Sequence, residues 1–172
     1  MAKDTRPRLR APALEPPLRI VLIEPEIPQN TGNIGRLSAA TQSPLHLVGR
    51  LGFQVDERAV RRAGLDYWHL VTLAQHPNLE HFRNACPASP LKLFSAVATQ
   101  SYLDAAYAPG DALVFGKEST GLDQDLLDRF PDQVYGIPTL GKVRSLNLAN
   151  AVSIVLFEAL RQTGALAKAA PE

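Results

Sequence analysis

The chain has 172 residues, of which 45% are hydrophobic and 20% charged, and its formal net charge at pH 7 is +1. These values are ordinary for a soluble globular protein that buries a sizeable core, and they argue against a generally basic nucleic-acid binder, although they leave room for a local basic patch. The single cysteine, Cys86, excludes an intrachain disulfide framework, and no apolar run approaches the roughly 20 residues that span a bilayer.

The two ends of the chain are predicted to lie outside the folded domain. Residues 1–17 are rich in arginine and proline and lack the apolar stretch of a secretory signal. We expect them to form a flexible extension, with contact to RNA as the alternative to a solvated tail. Residues 164–172 are expected to form a frayed C-terminal tail. The remaining residues, 18–163, are predicted to fold as one domain of a cytoplasmic protein that does not contact a membrane.

Between these ends, strand and helix signals alternate, as they do in an α/β domain with a largely parallel sheet. In chain order, strands are predicted over residues 19–23, 45–48, 69–73, 91–97, 112–115 and 133–137. Helices are predicted over residues 31–42, 56–63, 78–86, 124–129 and 147–162. The expected fold class is therefore α/β, with helices flanking a mostly parallel sheet.

The first and last predicted helices have distinctive sequences. Asn30 or Thr31 is expected to cap the first helix. Glycines and alanines at positions 32, 35, 39 and 40 form a stripe of small residues along it, on which another backbone can pack closely. Asn147 is expected to cap the last helix, which is apolar on so many sides that the sheet and a second surface must cover it. A subunit interface is one such surface.

Three polar loops follow predicted strands and are the most informative segments of the chain. They comprise residues 24–36, 115–122 and 137–150 and are rich in Gly, Pro, Asn and Ser. Open α/β sheets bind ligands where loops leave the carboxyl ends of their strands. Three such loops with polar functional groups predict a shared pocket.

The loops carry none of the common nucleotide-binding or hydrolase signatures. The chain lacks a Walker A loop, a G-x-G-x-x-G fingerprint and a G-x-S-x-G elbow, and its four histidines are not spaced as metal ligands. The glycines of the second loop would let the backbone approach a flat ligand such as adenine, and the apolar side chains of the third loop suit a purine ring. The alternative is structural: Asn147 caps a helix, and Glu118 pairs with Arg36 or Arg144.

Motifs in the three loops together resemble those of a known family. They consist of Asn30, Gly32, Asn33 and Arg36 in the first loop, the pattern F-G-x-E-x-x-G-L over residues 115–122, and the pattern I-P…R-S-L-N-L-A-N over residues 137–150. The set resembles the three motifs of the SPOUT-superfamily RNA ribose 2′-O-methyltransferases over about residues 18–162. The segment R-R-A-G-L-D-Y at 61–67 resembles the small single-domain branch that methylates the wobble nucleotide of tRNA, a cytidine or a modified uridine.

The resemblance implies a fold, a cofactor and an assembly. The C-terminal part of the α/β domain would thread a loop to form a deep trefoil knot, S-adenosyl-L-methionine would bind in the knotted region, and two copies would form a homodimer. The residues implied in cofactor binding are Phe94, Gly116, Ile137, Ser145 and Leu146. The residues implied to face the reacting ribose are Arg36, Asn30, Glu118 and Asn147. No metal is expected, because the leaving group is a neutral thioether.

The implied reaction is in-line attack of a ribose 2′-hydroxyl on the sulfonium methyl group. Arg36 is predicted to be the central catalytic residue. A guanidinium does not act as a free base in proteins, so the resemblance implies that Arg36 holds the adjacent phosphate and either orients the hydroxyl or helps to deprotonate it. Glu118 and Asn147 would fix the loops and the ribose.

Contacts with the tRNA anticodon stem-loop are predicted for Arg58, Arg61 and Arg62, with Tyr67 or Trp68 available to stack on an unpaired base. The alternative is a solvated charged helix beside a buried aromatic pair. Three other functions stay open for the chain as a whole: an rRNA ribose 2′-O-methyltransferase, a non-catalytic RNA-binding module with the same fold, and a nucleotide-binding metabolic enzyme of the doubly wound type.

Overall fold

The computed structural model describes residues 7–53 and 67–171 of the chain. Numbered in chain order within these ranges, the strands are β1 (Leu9–Arg10), β2 (Arg19–Ile23), β3 (Leu45–Val48), β4 (Leu73–His76), β5 (Leu91–Phe94), β6 (Gln100–Ser101), β7 (Ala112–Phe115), β8 (Val134–Gly136) and β9 (Ala170–Pro171). The α-helices are α1 (Pro28–Thr41), α2 (Leu79–Ala85), α3 (Gln124–Arg129) and α4 (Leu148–Gln162), with short 3-10 helices at Trp68–Leu70 and Pro131–Gln133.

Seven strands of the described part of the chain form one sheet in the order β4-β3-β2-β7-β5-β8-β6, and each neighbouring pair is parallel. Every residue of β3, β5 and β7 is buried. Parallel sheets occur with both faces covered, so these strands carry mostly apolar side chains on both sides. The predicted α/β class with a mostly parallel sheet is confirmed.

Alternate residues of β2 enter two hydrophobic clusters, one on each face of the sheet. Ile20 and Leu22 pack in a cluster that includes Leu156 of α4. Val21 packs in the other cluster, with Phe82 of α2. Successive side chains of a strand point to opposite faces, so this alternation places α1 and α4 on one face and α2 on the other.

The caps of the first and last helices differ in origin. Asn147 caps α4 as predicted, because its Oδ1 accepts hydrogen bonds from the backbone N–H groups of Ala149 and Asn150. The prediction that Asn30 or Thr31 caps the first helix is wrong, since α1 begins at Pro28 and its N-cap residue makes no side-chain cap bond. Proline is pre-organised for the first helical position, and it moves the helix start towards the N-terminus.

The stripe of small residues on α1 packs against an aromatic ring. A Cβ atom at Gly35 would overlap the six-membered ring of Trp68, so only glycine leaves space for that ring. Trp68 opens the short helix Trp68–Leu70. The prediction of a strand over residues 69–73 is therefore wrong in its first half, and the strand β4 begins only at Leu73.

The remaining differences between prediction and structure concern short or polar segments. The strands predicted over residues 91–97 and 133–137 are shorter, ending at Phe94 and Gly136. Strand β6 has only two residues, both polar, and no apolar pattern predicts it. The helix predicted over residues 56–63 lies outside the described residues.

The two ends of the described chain pair with each other. Strands β1 and β9 form an antiparallel ribbon in which Leu9 faces Pro171 and Arg10 faces Ala170. The segments predicted as an extension and a tail thus include residues with a defined backbone partner. The bounds of the domain, residues 18–163, stay a prediction.

Candidate functional site

A cavity of about 700 Å³ lies at the carboxyl ends of the central strands, where the three polar loops meet. Phe94 ends β5 and Phe115 ends β7, and their rings stack with centroids 5.0 Å apart. The volume falls within the roughly 300–1,000 Å³ of small-molecule sites. All five residues implied in cofactor binding line this cavity: Phe94, Gly116, Ile137, Ser145 and Leu146. The structure therefore brings the three loops together as the sequence predicts.

Three of the four residues implied to face the ribose form a hydrogen-bonded row along the cavity. The Nδ2 of Asn147 donates to the Oδ1 of Asn30 over 3.0 Å. The Nδ2 of Asn30 donates in turn to the Oε1 of Glu118, also over 3.0 Å. Asn30 is only 5% exposed, and each polar atom of its side-chain amide has a partner. The row fixes the orientation of both asparagine amides.

Glu118 binds the first loop, and the structure shows no ion pair between Glu118 and an arginine of residues 7–53 and 67–171, in contrast to the structural alternative. Its Oε2 accepts the backbone N–H of Glu26 at 2.7 Å, and its Oε1 accepts that of Ile27 at 3.2 Å. Arg144 donates instead to the backbone carbonyl of Ser119 at 3.2 Å. The carboxylate of Glu118 therefore joins the second loop to the start of α1.

Glu26 and Ser119 complete a reciprocal contact between the first two loops, which we call the Glu26–Glu118 clasp. The carboxylate of Glu26 accepts the backbone N–H and the hydroxyl of Ser119, each at 2.9 Å. These two hydrogen bonds hold the pKa of Glu26 below its usual value. Beside the clasp, Lys117 and Glu24 form an ion pair of 2.8 Å. No separate signal in the sequence marks Glu26 or Ser119, since Glu26 lies in the first loop before its motif and Ser119 occupies an unspecified position of the second motif.

Gly116 allows the second loop to fold back on itself. A Cβ atom at this position would overlap the backbone of Gly121 and Leu122. Lys117 and Gly121 exchange backbone hydrogen bonds, and Gly121 has the left-handed φ of +75° that favours glycine. The backbone therefore forms part of the cavity wall. A wall of backbone and aromatic rings fits a nucleoside-containing cofactor, whose ring faces need apolar cover and whose edges need hydrogen bonds.

Arg36 lies away from the row of Asn30, Glu118 and Asn147. It does not line the cavity among the described residues, and its side chain is exposed. Its Cζ atom lies 4.4 Å from the centroid of the Tyr67 ring. Arg36 is six positions after Asn30, so the two side chains project from different faces of α1. Arg58, Arg61 and Arg62, predicted to contact RNA, lie outside the described residues.

Three histidines form a hydrogen-bonded chain near α2. The Nδ1 of His46 lies 2.9 Å from the Nε2 of His76, and the Nδ1 of His76 lies 3.0 Å from that of His81. Burial, and to a smaller degree the charges of His76 and Arg19, lower the pKa of His46 to about 4. No group of three or more His, Cys, Asp or Glu residues in ranges 7–53 and 67–171 is arranged to hold a metal ion.

Over the described portion of the chain, no helix combines the length and the apolar character that crossing a bilayer requires.

Comparison with known proteins places these observations in a family context. The model of the SpoU rRNA Methylase family matches residues 17–157. The chain is 45% identical over 148 residues to a tRNA (cytidine(34)-2'-O)-methyltransferase of Burkholderia pseudomallei (strain 1106a), covering 84% of this chain and 95% of the relative. A protein of the same name from Escherichia coli (strain K12) is 44% identical over 150 residues, covering 86% of this chain and 94% of that one.

Two solved structures share the fold. One, described as giving structural insights into the 2-OH methylation of C/U34 on tRNA, has a TM-score of 0.78 and 46% identity, covering 84% of this chain and 95% of that chain. The other is an AdoMet-bound rRNA methyltransferase from Sinorhizobium meliloti, with a TM-score of 0.72 and 27% identity. The match covers 88% of this chain and 58% of that longer chain.

Proposed function

The chain belongs to the SpoU rRNA Methylase family, and from that premise we propose that it transfers a methyl group from S-adenosyl-L-methionine to the ribose 2′-hydroxyl of nucleotide 34, a cytidine or uridine, in the anticodon loop of tRNA. The resemblance found in the three loops is confirmed by the family match and by relatives named for this reaction. Relatives and chain correspond over nearly their whole length, which supports the same substrate.

The observation that carries the proposal is the meeting of the cavity and the row formed by Asn30, Glu118 and Asn147. The cavity fits the cofactor, with Phe94, Gly116, Ile137, Ser145 and Leu146 as the residues that would hold it. When bound there, S-adenosyl-L-methionine supplies an electrophilic methyl group. The row lies at the same cavity and presents amide groups in one fixed orientation. Preorganised polar groups of this kind align a hydroxyl without reorganising during the reaction.

Arg36 is proposed to act on the substrate as a permanent cation. Its guanidinium would hold a phosphate next to the reacting nucleotide and orient the 2′-hydroxyl. Replacing it should remove transition-state binding and leave the cofactor in place. We expect Arg36→Ala to bind S-adenosyl-L-methionine normally by calorimetry and to lose methyl transfer to tRNA. Full transfer by this variant would remove Arg36 from the mechanism.

A homodimer is proposed as the working form. Two features support it: Arg36 does not line the cavity of its own chain within the described ranges, and α4 exposes Ile154 and Phe157, which are 37% and 48% accessible. These two residues are three apart and therefore lie on one face of α4. Packing two such faces together would cover apolar surface and could bring Arg36 of one copy towards the cavity of the other.

A trefoil knot and a cytoplasmic location are also proposed. The knot is supported by the order of the sheet, in which the late strand β8 lies between the earlier, consecutive strands β5 and β6. After β8, the chain returns to α1, where Asn147 meets Asn30. An experimental structure traced through residues 134–150 checks the threading. The cytoplasmic location is supported by the proposed tRNA substrate.

The proposed function is tested by the nucleosides of tRNA. Purified protein, labelled S-adenosyl-L-methionine and total tRNA from a strain that lacks the protein should give a 2′-O-methylated nucleotide 34, identified by mass mapping. The tRNA of that strain should lack the same group, which its parent contains. The same assay is run with ribosomal RNA of that strain: label in ribosomal RNA and none in tRNA would show an rRNA methyltransferase, and absence of cofactor binding in calorimetry would show a non-catalytic RNA-binding module.

A further inference from the structure

Tyr67 contacts the residue on which the proposed reaction depends. Its ring centroid lies 4.4 Å from the Cζ atom of Arg36, and its hydroxyl donates a hydrogen bond of 2.7 Å to the backbone carbonyl of Gly32. We propose that Tyr67 is a positioning residue, which holds the guanidinium of Arg36 in the orientation that the reaction requires. This inference rests on the proposed function.

The hydroxyl of Tyr67 ties its ring to the same turn of α1 from which Arg36 projects. In an α-helix, the carbonyl of one residue accepts the backbone N–H of the residue four positions later. The carbonyl of Gly32 therefore receives both the backbone N–H of Arg36 and the hydroxyl of Tyr67. A single turn of α1 therefore fixes the position of the Tyr67 ring relative to the guanidinium of Arg36.

Trp68 supports the same placement from the neighbouring position. Its ring occupies the space that a side chain at Gly35 would take, so it packs directly on the backbone of α1. The 3-10 helix Trp68–Leu70, which follows Tyr67, is thereby held against α1. Two consecutive aromatic residues contact Gly32 and Gly35, one glycine each. The first two residues of the small-residue stripe on α1 therefore form the surface on which this aromatic pair packs.

An aromatic ring face can hold in place a guanidinium whose proposed function is to bind a phosphate of the substrate. A cation is attracted to an aromatic face within about 6 Å of the ring centroid. At 4.4 Å from the ring centroid, the Cζ atom of Arg36 lies well inside that distance from Tyr67. Stacking on the Tyr67 ring also orders the long Arg36 side chain before the substrate binds, so that less conformational entropy is lost on binding.

The contact between Tyr67 and Arg36 distinguishes a positioning role of Tyr67 from stacking of its ring on an RNA base. The face of Tyr67 that is turned to Arg36 is occupied by the guanidinium. A positioning role affects the rate of the chemical step, and base stacking affects the binding of tRNA. The two roles therefore predict changes in different kinetic constants.

The first test compares Tyr67→Leu with Tyr67→Phe. The control is Leu70→Ala, on the short helix that follows Tyr67, because the Leu70 side chain is 62% exposed in the native protein. We expect Tyr67→Leu to lower kcat for tRNA methylation roughly 3- to 30-fold, the range of a cation–π contact, with an unchanged KM for tRNA. Tyr67→Phe keeps the ring and should retain most of the rate. Leu70→Ala should behave as wild type. A raised KM with unchanged kcat in Tyr67→Leu would show base stacking and overturn the proposal.

The second test separates positioning from general support of the fold. In single-turnover assays with enzyme in large excess, which follow the slow residual rate of Arg36→Ala, adding Tyr67→Leu should not lower that rate further, because the two residues act as one unit. Equal losses with and without Arg36 would show a structural role and overturn the proposal.

An NMR readout is independent of activity. The Arg36 side-chain protons should show a ring-current shift in the wild type and in Tyr67→Phe, and lose it in Tyr67→Leu. An unchanged shift in Tyr67→Leu would show that the contact does not exist. Absence of methyl transfer by the wild type would contradict the proposed function, whereas the NMR shift would still decide the contact.

Discussion

Asn147 has two roles that a single matched comparison can separate. Its Oδ1 caps α4, and its Nδ2 donates to Asn30 at the cavity. Asn78 caps α2 in the same way, with its Oδ1 accepting the backbone N–H of His81 at 2.8 Å, away from the cavity. Loss of a helix cap costs about 1 kcal/mol. We expect Asn147→Ala and Asn78→Ala to lower the free energy of unfolding by this similar amount, measured in urea.

Of the two variants, only Asn147→Ala should also lose methyl transfer, because Asn147 is hydrogen-bonded to Asn30 and Asn78 lies away from the cavity. Methyl transfer by the two variants is compared at a temperature where both are fully folded. Equal activities would show that Asn147 acts as a cap alone and would remove it from the proposed ribose site.

His46 makes stability depend on pH in a definite direction. Its pKa is about 4 in the folded protein and 6.5 when unperturbed. Between these values the unfolded chain binds a proton that the folded chain does not, so stability falls as the pH decreases from 6.5 towards 4 and His46 contributes no further change below that. The expected loss between pH 7 and 4.5 is of the order of 2 kcal/mol.

The measurement is the free energy of unfolding in urea at several pH values for wild type, His46→Leu and His69→Gln. His46→Leu should reduce the slope between pH 4.5 and 6.5, whatever its stability at pH 7. The control replaces His69, an exposed histidine on the short helix after Tyr67, and should keep the slope of the wild type. A slope that survives in His46→Leu would assign the pH dependence to other groups.

At the scale of elements, the Glu26–Glu118 clasp joins the loop before α1 to the loop after β7. Glu26→Ala removes both hydrogen bonds to Ser119 and leaves the Glu118 carboxylate bonded to the backbone. We expect faster hydrogen exchange at residues 117–121 and a cofactor Kd raised about 3- to 10-fold. Gln124→Ala is the matched control, because it removes an exposed hydrogen bond to Asp128 on α3. A cofactor Kd equal to that of the wild type would show that the clasp does not shape the cavity.

The sequence predicts the buried elements well and the short connecting elements poorly. Residues 19–23, 45–48, 112–115 and 124–129 have the predicted bounds. Apolar runs report burial, and burial dominates the placement of these strands. The segment at Trp68 has a different cause. The Trp68 ring fills the space beside Gly35, and the backbone forms a 3-10 helix where a strand was predicted. Pro28 similarly shifts the start of α1 away from the expected asparagine cap.

At the scale of the whole molecule, the apolar face of α4 predicts how copies associate. Phe157→Arg places a charge at the centre of the proposed dimer interface, and a desolvated, unpaired charge is strongly unfavourable there. We expect sedimentation to show a dimer for the wild type and a monomer for this variant, with loss of methyl transfer. Leu9→Arg, at a residue that is 74% exposed on β1, should remain dimeric. A dimeric Phe157→Arg would move the interface away from this face.

The cavity could be predicted only through the combination of loops. Polar residues after three strand ends indicate a pocket, and the resemblance assigns Phe94, Gly116 and Ile137 to it; in the structure, all three line the cavity. Neither route places Tyr67 against Arg36, because that contact depends on how residues 67–70 pack on α1. Contacts made by exposed side chains across loops leave no periodic pattern in the sequence.

The hydrogen bond between Asn30 and Asn147 also has a consequence for the order in which the protein is made. The two residues are 117 positions apart, and synthesis adds about 5–20 residues per second, so roughly 6–23 s separate their appearance. During that interval Asn30 has no Asn147 beside it, and the wall contributed by residues 137–148 is missing. A chain that ends before residue 137 therefore lacks this wall of the cavity, and the site can close only after residues 137–148 have been added.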